Sequence, residues 1–232
     1  MLIGKMTVLR RFIVLLVILP LASSLPPHTC ITPSTDTNLP SSINVALDSV
    51  VKKAPGTGFA EFRNPGGVNA FGRCTGAHVG LSCADCLANA AAIFRGNCGN
   101  YETGVVWYNS CFLRYSTEDF FGSWDAQPIY LILPSTQDAQ IPIQDAVLQL
   151  AQTVSNMAVQ SGAKLFAAMD QAFNGLNIRT MAQCTQDLST SQCQECLGWL
   201  RDNIASNCGN KDGCRLFHAS CILRYSTGMF FI

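Results

Sequence analysis

The chain of 232 residues carries 15 Lys+Arg against 15 Asp+Glu, is 48% hydrophobic and contains 12 cysteines. That length fits one large domain or two of about 100 residues each. With basic residues scattered and only Lys52 and Lys53 adjacent in the body of the chain, it offers no electrostatic footprint for nucleic acid or an anionic membrane.

The first segment, "MLIGKMTVLRRFIVLLVILPLASSLPP", places Lys5, Arg10 and Arg11 before a short apolar core over 12–21, with Ala22 and Ser24 as small residues at a cleavage site. We read residues 1–24 as a secretory signal, since the apolar run is too short to span a bilayer. A buried N-terminal helix is the alternative. Cleavage removes three basic residues and leaves 12 Lys+Arg against 15 Asp+Glu, about −3. No second long apolar run follows, so a secreted chain with no membrane span in its mature form is expected. All twelve cysteines lie beyond the signal, and an even count in an oxidising compartment predicts a disulfide framework.

"SSINVALDSVVKK" (41–53) has apolar residues at 43, 47, 50 and 51, the spacing of a helix behind a Ser cap. "FAEFR" and "VNAFGRC" predict short strands. "CADCLANAAAIFRGNCGN", from Cys83, predicts a second helix, with Gly99 placed to end it in the left-handed conformation. "VVWYNSCFLRYS" and its later counterpart "RLFHASCILRYS" predict long antiparallel strands, and "PIYLIL" (128–133) a further strand of the first unit.

The order then repeats. "IQDAVLQLAQTVSNMAVQ" (143–160) predicts a helix behind Pro142, "KLFAAM" and "IRTMAQC" predict strands, and "CQECLGWLRDNIASNCGN" predicts a helix ended by Gly209. A shift of 110 superimposes Cys74, Cys83, Cys86, Cys98 and Cys111 on Cys184, Cys193, Cys196, Cys208 and Cys221, and "SCFLRYST" on "SCILRYST". This is a tandem repeat, which we divide into 28–134 and 135–232 at the seam "LPSTQDAQIP". Repeat two stops before any counterpart of "PIYLIL", so its last edge is expected to be weaker.

Three chemistries compete for the Cys-x-x-Cys pairs. Zinc wants converging pairs of thiolates or imidazoles, but each repeat holds one such pair and His28, His78 and His218 do not recur between repeats. Thiol oxidoreductases want the pair at a helix start in a thioredoxin-like fold, and this element order does not match one. Structural pairing remains. Two cysteines three apart on a helix are badly aimed at each other but can each reach a strand. Links from Cys83 to Cys74, from Cys86 to Cys111 and from Cys98 to Cys30 would do this, the last stabilising by roughly 4 kcal/mol on the chain-entropy relation. Six cysteines allow fifteen connectivities, and spacing alone does not select among them.

The pattern Cys-x8-Cys-x2-Cys, written here "CTGAHVGLSCADC" and "CTQDLSTSQCQEC", with the later Cys-x11-Cys-x12-Cys and "RYS", resembles the ginkbilobin-like cysteine-rich repeat, or stress-antifungal domain, of land plants. The resemblance covers essentially the whole mature chain, twice, and is to the cysteine-rich repeat secretory proteins. It implies an α+β fold of two tandem domains, each a roughly five-stranded antiparallel sheet packed on two helices and braced by three disulfides. It also implies the pairs Cys30–Cys98, Cys74–Cys83, Cys86–Cys111, Cys184–Cys193 and Cys196–Cys221. Under the shift of 110, Cys30 falls on Gln140 and Gly104 on Cys214, so a local Cys208–Cys214 bridge is expected in repeat two.

Nothing in the sequence reads as catalytic, and no enzyme activity, cofactor or metal is expected. Asp85 and Glu195 read as helix-dipole partners, and Arg114 and Arg224 as strand residues engaged in salt bridges or aromatic stacking. The resemblance further implies a mannose site built from Asn, Arg and Glu. Those positions are Ile31, Val105 and Ser116 in repeat one; repeat two keeps Arg215 but has Ser226 for the Glu. The expected role is therefore a secreted, non-enzymatic interaction module of the plant apoplast, in defence, stress response or signalling. Its partner would be an extracellular protein, such as a receptor-like kinase, or a cell-wall glycan. A carbohydrate-binding, antifungal lectin-like protein using Arg215 is the second expectation.

Overall fold

The computed structural model describes residues 26–76, 80–124, 129–160, 162 and 164–228. The segment read as a secretory signal, and His78, lie outside the described residues.

Repeat one runs β1 (His28–Pro33), α1 (Leu39–Thr57), β2 (Phe59–Phe62), β3 (Asn69–Cys74), α2 (Leu81–Ile93), a π-helical turn (Phe94–Cys98), β4 (Tyr101–Trp107) and β5 (Cys111–Ser116). Repeat two runs β6 (Tyr130–Pro134), α3 (Gln144–Ala158), β7 (Phe166–Phe173), β8 (Leu176–Cys184), α4 (Thr190–Asp202), α5 (Ile204–Cys208), β9 (Gly213–His218) and β10 (Cys221–Ser226). Each half forms a five-stranded antiparallel sheet, ordered β1-β4-β5-β3-β2 and β6-β9-β10-β8-β7, with its helices on one face. No helix among the described residues is long and apolar enough to cross a membrane.

The strand expected to extend repeat one does not do so. Tyr130–Pro134 pairs with β9 and occupies in the second sheet the place β1 holds in the first. The second sheet therefore has a full complement of five strands, and its edge is not short of one. Cys30 lies opposite Gly104 and Pro134 opposite Cys214, so the counterpart of Cys30 is Pro134 and not Gln140. The buried stripe of α1 (Ile43, Leu47, Val50, Ala54) returns in α3 as Val147, Ala151, Val154 and Ala158, an offset of 104. At the end of β8 the offset is 110, because repeat two is longer both between α3 and β7, where Leu165 answers to Gly58, and in the β7–β8 hairpin, where Phe166 pairs with Gln183 as Phe59 pairs with Arg73.

Local rules account for the helix ends. Helix α1 starts at Leu39, ahead of the expected Ser cap, because Pro40 with its fixed φ opens the first turn. Helix α4 carries a capping box in which Ser189 Oγ accepts from Gln192 N and Gln192 Oε1 accepts from Ser189 N. Neither helix-ending glycine behaves as expected. Gly99 stays right-handed (φ −59°) because the π-helical turn ends the helix before it, and Gly209 takes φ 54° with ψ −138°, outside the left-handed helical region. The runs "VVWYNSCFLRYS" and "RLFHASCILRYS" each fold as a hairpin.

Strand alternation then builds three cores. Val106, Leu113 and Tyr115 face the helices of repeat one, and Leu216, Leu223 and Tyr225 those of repeat two. The alternate residues Phe71, Val105, Trp107 and Phe112 leave the opposite face of sheet one and pack with Phe217 of sheet two. Trp107 lies 6.0 Å from Phe217 between ring centroids, and its Nε1 donates to His218 O at 3.3 Å. Gln183 completes the seam: its Oε1 accepts from Gly76 N and its Nε2 donates to Cys74 O. The two repeats share one apolar interface.

Candidate binding clefts

Six disulfides brace the framework: Cys30–Cys98, Cys74–Cys83 and Cys86–Cys111 in repeat one, Cys184–Cys193, Cys196–Cys221 and Cys208–Cys214 in repeat two. No cysteine is free. Such a set belongs to an oxidising, extracellular setting. His218 lies within 4.8 Å of the sulfurs of Cys196 and Cys221, a grouping that the sequence spacing did not reveal. Both sulfurs are consumed in a disulfide and have no thiolate to give a metal. The imidazole Nδ1 accepts from Ser220 N at 3.3 Å, and Trp124 and Trp199 pack beside the ring.

Glu195 stands past the first turn of α4, as Asp85 does in α2, so neither serves the helix dipole as expected. Glu195 Oε2 instead accepts from Trp124 Nε1 at 2.9 Å. With Gly122 N donating to Asp187 and Gln192 Nε2 donating to Gly122 O, this bond straps the connector between repeats onto repeat two. Arg114 is buried with its guanidinium 4.0 Å from the Phe120 ring centre, the stacking expected of it. Burial holds the Arg73 guanidinium well below its ordinary pKa, and the Asp187 carboxylate opposes that shift.

Two open clefts occupy pseudo-equivalent places, one over the three-strand stretch β1-β4-β5 of sheet one and one over β6-β9-β10 of sheet two. The repeat-one cleft, about 690 Å³, is lined by Ile31, Glu102, Arg114, Ser116, Glu118 and Asp119 among others. Ser116 Oγ is paired with Thr103 Oγ1 at 2.8 Å, and Val105 is fully buried in the shared interface. An apolar Ile31, an occupied Ser116 and an inaccessible Val105 mean that those three positions do not supply the amide, carboxylate and guanidinium the resemblance implies; the charged groups of the cleft come from other positions.

The repeat-two cleft, about 580 Å³, brings together Arg215, Arg224, Asp212, Ser226 and Ser135 with Asn109 from the β4–β5 turn of repeat one. Arg215 Nη1 donates to Asn109 Oδ1 at 3.1 Å. Arg215 and Arg224 are direct cross-strand partners, where repeat one pairs Val105 with Arg114. Burial first, then the Arg215 charge, lowers the Arg224 pKa to about 10. Ser135, Asn109 and Ser110 escaped the sequence reading. Ser135 becomes visible only once Pro134 is aligned with Cys30, and the two β4–β5 turn residues only once the repeats are docked.

A family model described as salt stress response/antifungal matches residues 29–118 and again 136–228. The chain belongs to this family. Among curated stress-antifungal relatives, it is 29% identical over 195 residues to cysteine-rich repeat secretory protein 38 of Arabidopsis thaliana, covering 80% of this chain and 75% of the relative. It is 30% identical over 194 residues to plasmodesmata-located protein 5 of the same plant, covering 80% and 62%. It is 29% identical over 189 residues to the antimicrobial ginkbilobin-2-like protein of Castanea crenata, covering 79% and 78%. The solved tandem DUF26 ectodomain of the Arabidopsis thaliana cysteine-rich receptor-like protein PDLP5 superimposes with a TM-score of 0.68 at 26% identity, covering 87% of this chain and 98% of that one.

Proposed function

We propose that this stress-antifungal protein is a non-enzymatic module of the apoplast that acts in defence or extracellular signalling by presenting a rigid surface to another protein. The shared interface carries this reading, because Trp107, Phe112 and Phe217 lock two repeats into one body with its loops and helices held in fixed register. A preorganised surface loses little freedom on binding. Relatives named as secretory and as plasmodesmata-located lend the same support. Receptor-like kinase ectodomains are the partners to try first. The test immobilises the secreted full chain and measures binding of purified ectodomains beside a Trp107→Ala variant. Saturable binding weakened in the variant supports the reading; equal retention by both, or none by either, defeats it.

A second reading is favoured by one feature, the repeat-two cleft. Its Arg215, Asn109, Ser135 and Ser226 supply guanidinium, amide and hydroxyl groups suited to sugar hydroxyls. A glycan array probed with wild type and Arg215→Ala decides it, and indifference of any bound glycan to the substitution would count against it.

A further inference from the structure

Arg215 and Arg224 sit directly opposite each other on β9 and β10, each lining the repeat-two cleft. Like charges in that relation are unfavourable, and repeat one avoids the conflict with Val105 opposite Arg114. The pseudo-equivalent clefts consequently differ in sign among the described residues. The described lining of repeat one holds Glu102, Glu118 and Asp119 beside Arg114, and that of repeat two holds Asp212 beside Arg215 and Arg224. An anion placed between two guanidinia relieves their repulsion and receives charge-assisted hydrogen bonds, with Arg as the fork that fits a carboxylate.

The rest of the wall indicates what carries the anion. Ser110, Ser135 and Ser226 bring hydroxyls, Asn109 an amide, and Leu133 and Pro134 a small apolar strip. Hydroxyl and amide groups around a charged centre, with apolar surface for C–H faces, suit a sugar ring. Ser226 stands where a carboxylate would repel an acidic sugar. That serine removes the obstacle while Arg215 is kept.

We propose that the repeat-two cleft takes an acidic oligosaccharide, with a uronate carboxylate held at Arg215 in the field of Arg224. The inference rests on the saccharide reading of this cleft and names its ligand class.

The test titrates the full secreted chain with oligogalacturonate, its methyl ester, a mannan oligomer and oligoglutamate, following affinity and the ligand-induced rise in melting temperature. The expected result is binding of oligogalacturonate that weakens with added salt. Esterification or Arg215→Val should weaken it by at least about tenfold. Arg215 is half-exposed, so the valine variant should fold, and circular dichroism verifies this. Mannan bound in preference to oligogalacturonate overturns the inference and leaves the saccharide reading standing. Silence toward every glycan overturns both and leaves protein contact. Oligoglutamate binding as tightly as oligogalacturonate shows recognition of charge without sugar, and binding unchanged in Arg215→Val places the site elsewhere. Either result also overturns it.

Discussion

The two repeats tether the same helix end by sulfurs on different strands. In repeat one Cys98 reaches Cys30 on the edge strand β1; in repeat two its counterpart Cys208 reaches Cys214 on the next strand in, β9. The two acceptor sites are ladder neighbours, since Cys30 faces Gly104 and Pro134 faces Cys214. What permits the move is space. A Cβ at Gly104 would lie 2.3 Å from the Tyr115 ring and 3.0 Å from the Phe94 ring. Repeat two has Ile204 in place of Phe94, which removes the second of these contacts, and its retained tyrosine, Tyr225, donates to Lys211 O where Tyr115 donates to both Cys98 O and Tyr101 O. The loop closed shrinks from a separation of 68 residues to 6, and the edge strand β6 is left unanchored by sulfur. Equal numbers of disulfides therefore do not mean equal bracing.

The largest expected effect tests whether the halves can be compared as separate units at all. Trp107→Ala should cost about 3–5 kcal/mol and loosen both repeats together, since its indole spans the seam. Denaturant unfolding monitored by circular dichroism checks this, and loss confined to repeat one would show that the repeats are independent. Next come the unequal bridges. Replacing Cys30 and Cys98 by Ser should cost about 4 kcal/mol, and the same change at Cys208 and Cys214 about 2 kcal/mol, on loop-closure entropy. Equal losses in thermal unfolding would remove loop length as the distinction.

Gly104→Ala should cost about 1–3 kcal/mol by overpacking, and Phe94→Ile in the same chain should recover part of it by copying repeat two. No recovery in a double-mutant cycle would mean that Ile204 is not what makes room for Cys214. The smallest effect concerns the paired tyrosines. Tyr115 OH donates to Cys98 O at 2.5 Å and burial pushes it up from its ordinary value; burial and then Asp212 push Tyr225 up to about 12. A raised folded pKa favours the neutral phenol in the native state. The Tyr225 contribution is therefore complete below about pH 10, its unfolded value, and is lost as pH rises through 12. Phenolate absorbance of wild type minus Tyr225→Phe should appear near pH 12, and a difference already complete near pH 10 would contradict the assignment.

Much of this could be read before any fold was known. The tail "CxLRYST" and five cysteines align at one offset because the two repeats have the same length from the end of β3 and of β8 onward. The ownership of Tyr130–Pro134 was hidden by extra residues in the α3–β7 connection and in the β7–β8 hairpin, which together place the front of repeat two at offset 104 rather than 110 and so put Gln140 opposite Cys30. A signal for the interface was present in the continuous apolar runs "VVW" and "CFL", since strands apolar on both faces are covered on both. That signal says a cover exists and does not say which surface supplies it.

The sequence by itself determined the tandem repeat and the class of each element, because these depend on spacing along the chain and on side-chain periodicity; the pairing of the sulfurs came from the family resemblance, since spacing leaves fifteen connectivities open in each repeat. Tertiary structure alone decided which sheet receives Tyr130–Pro134, that Trp107 meets Phe217, and that Asn109 of one repeat reaches Arg215 of the other. Those are contacts between residues about a hundred positions apart. No local rule relates such residues; packing of two apolar sheet faces brings them together.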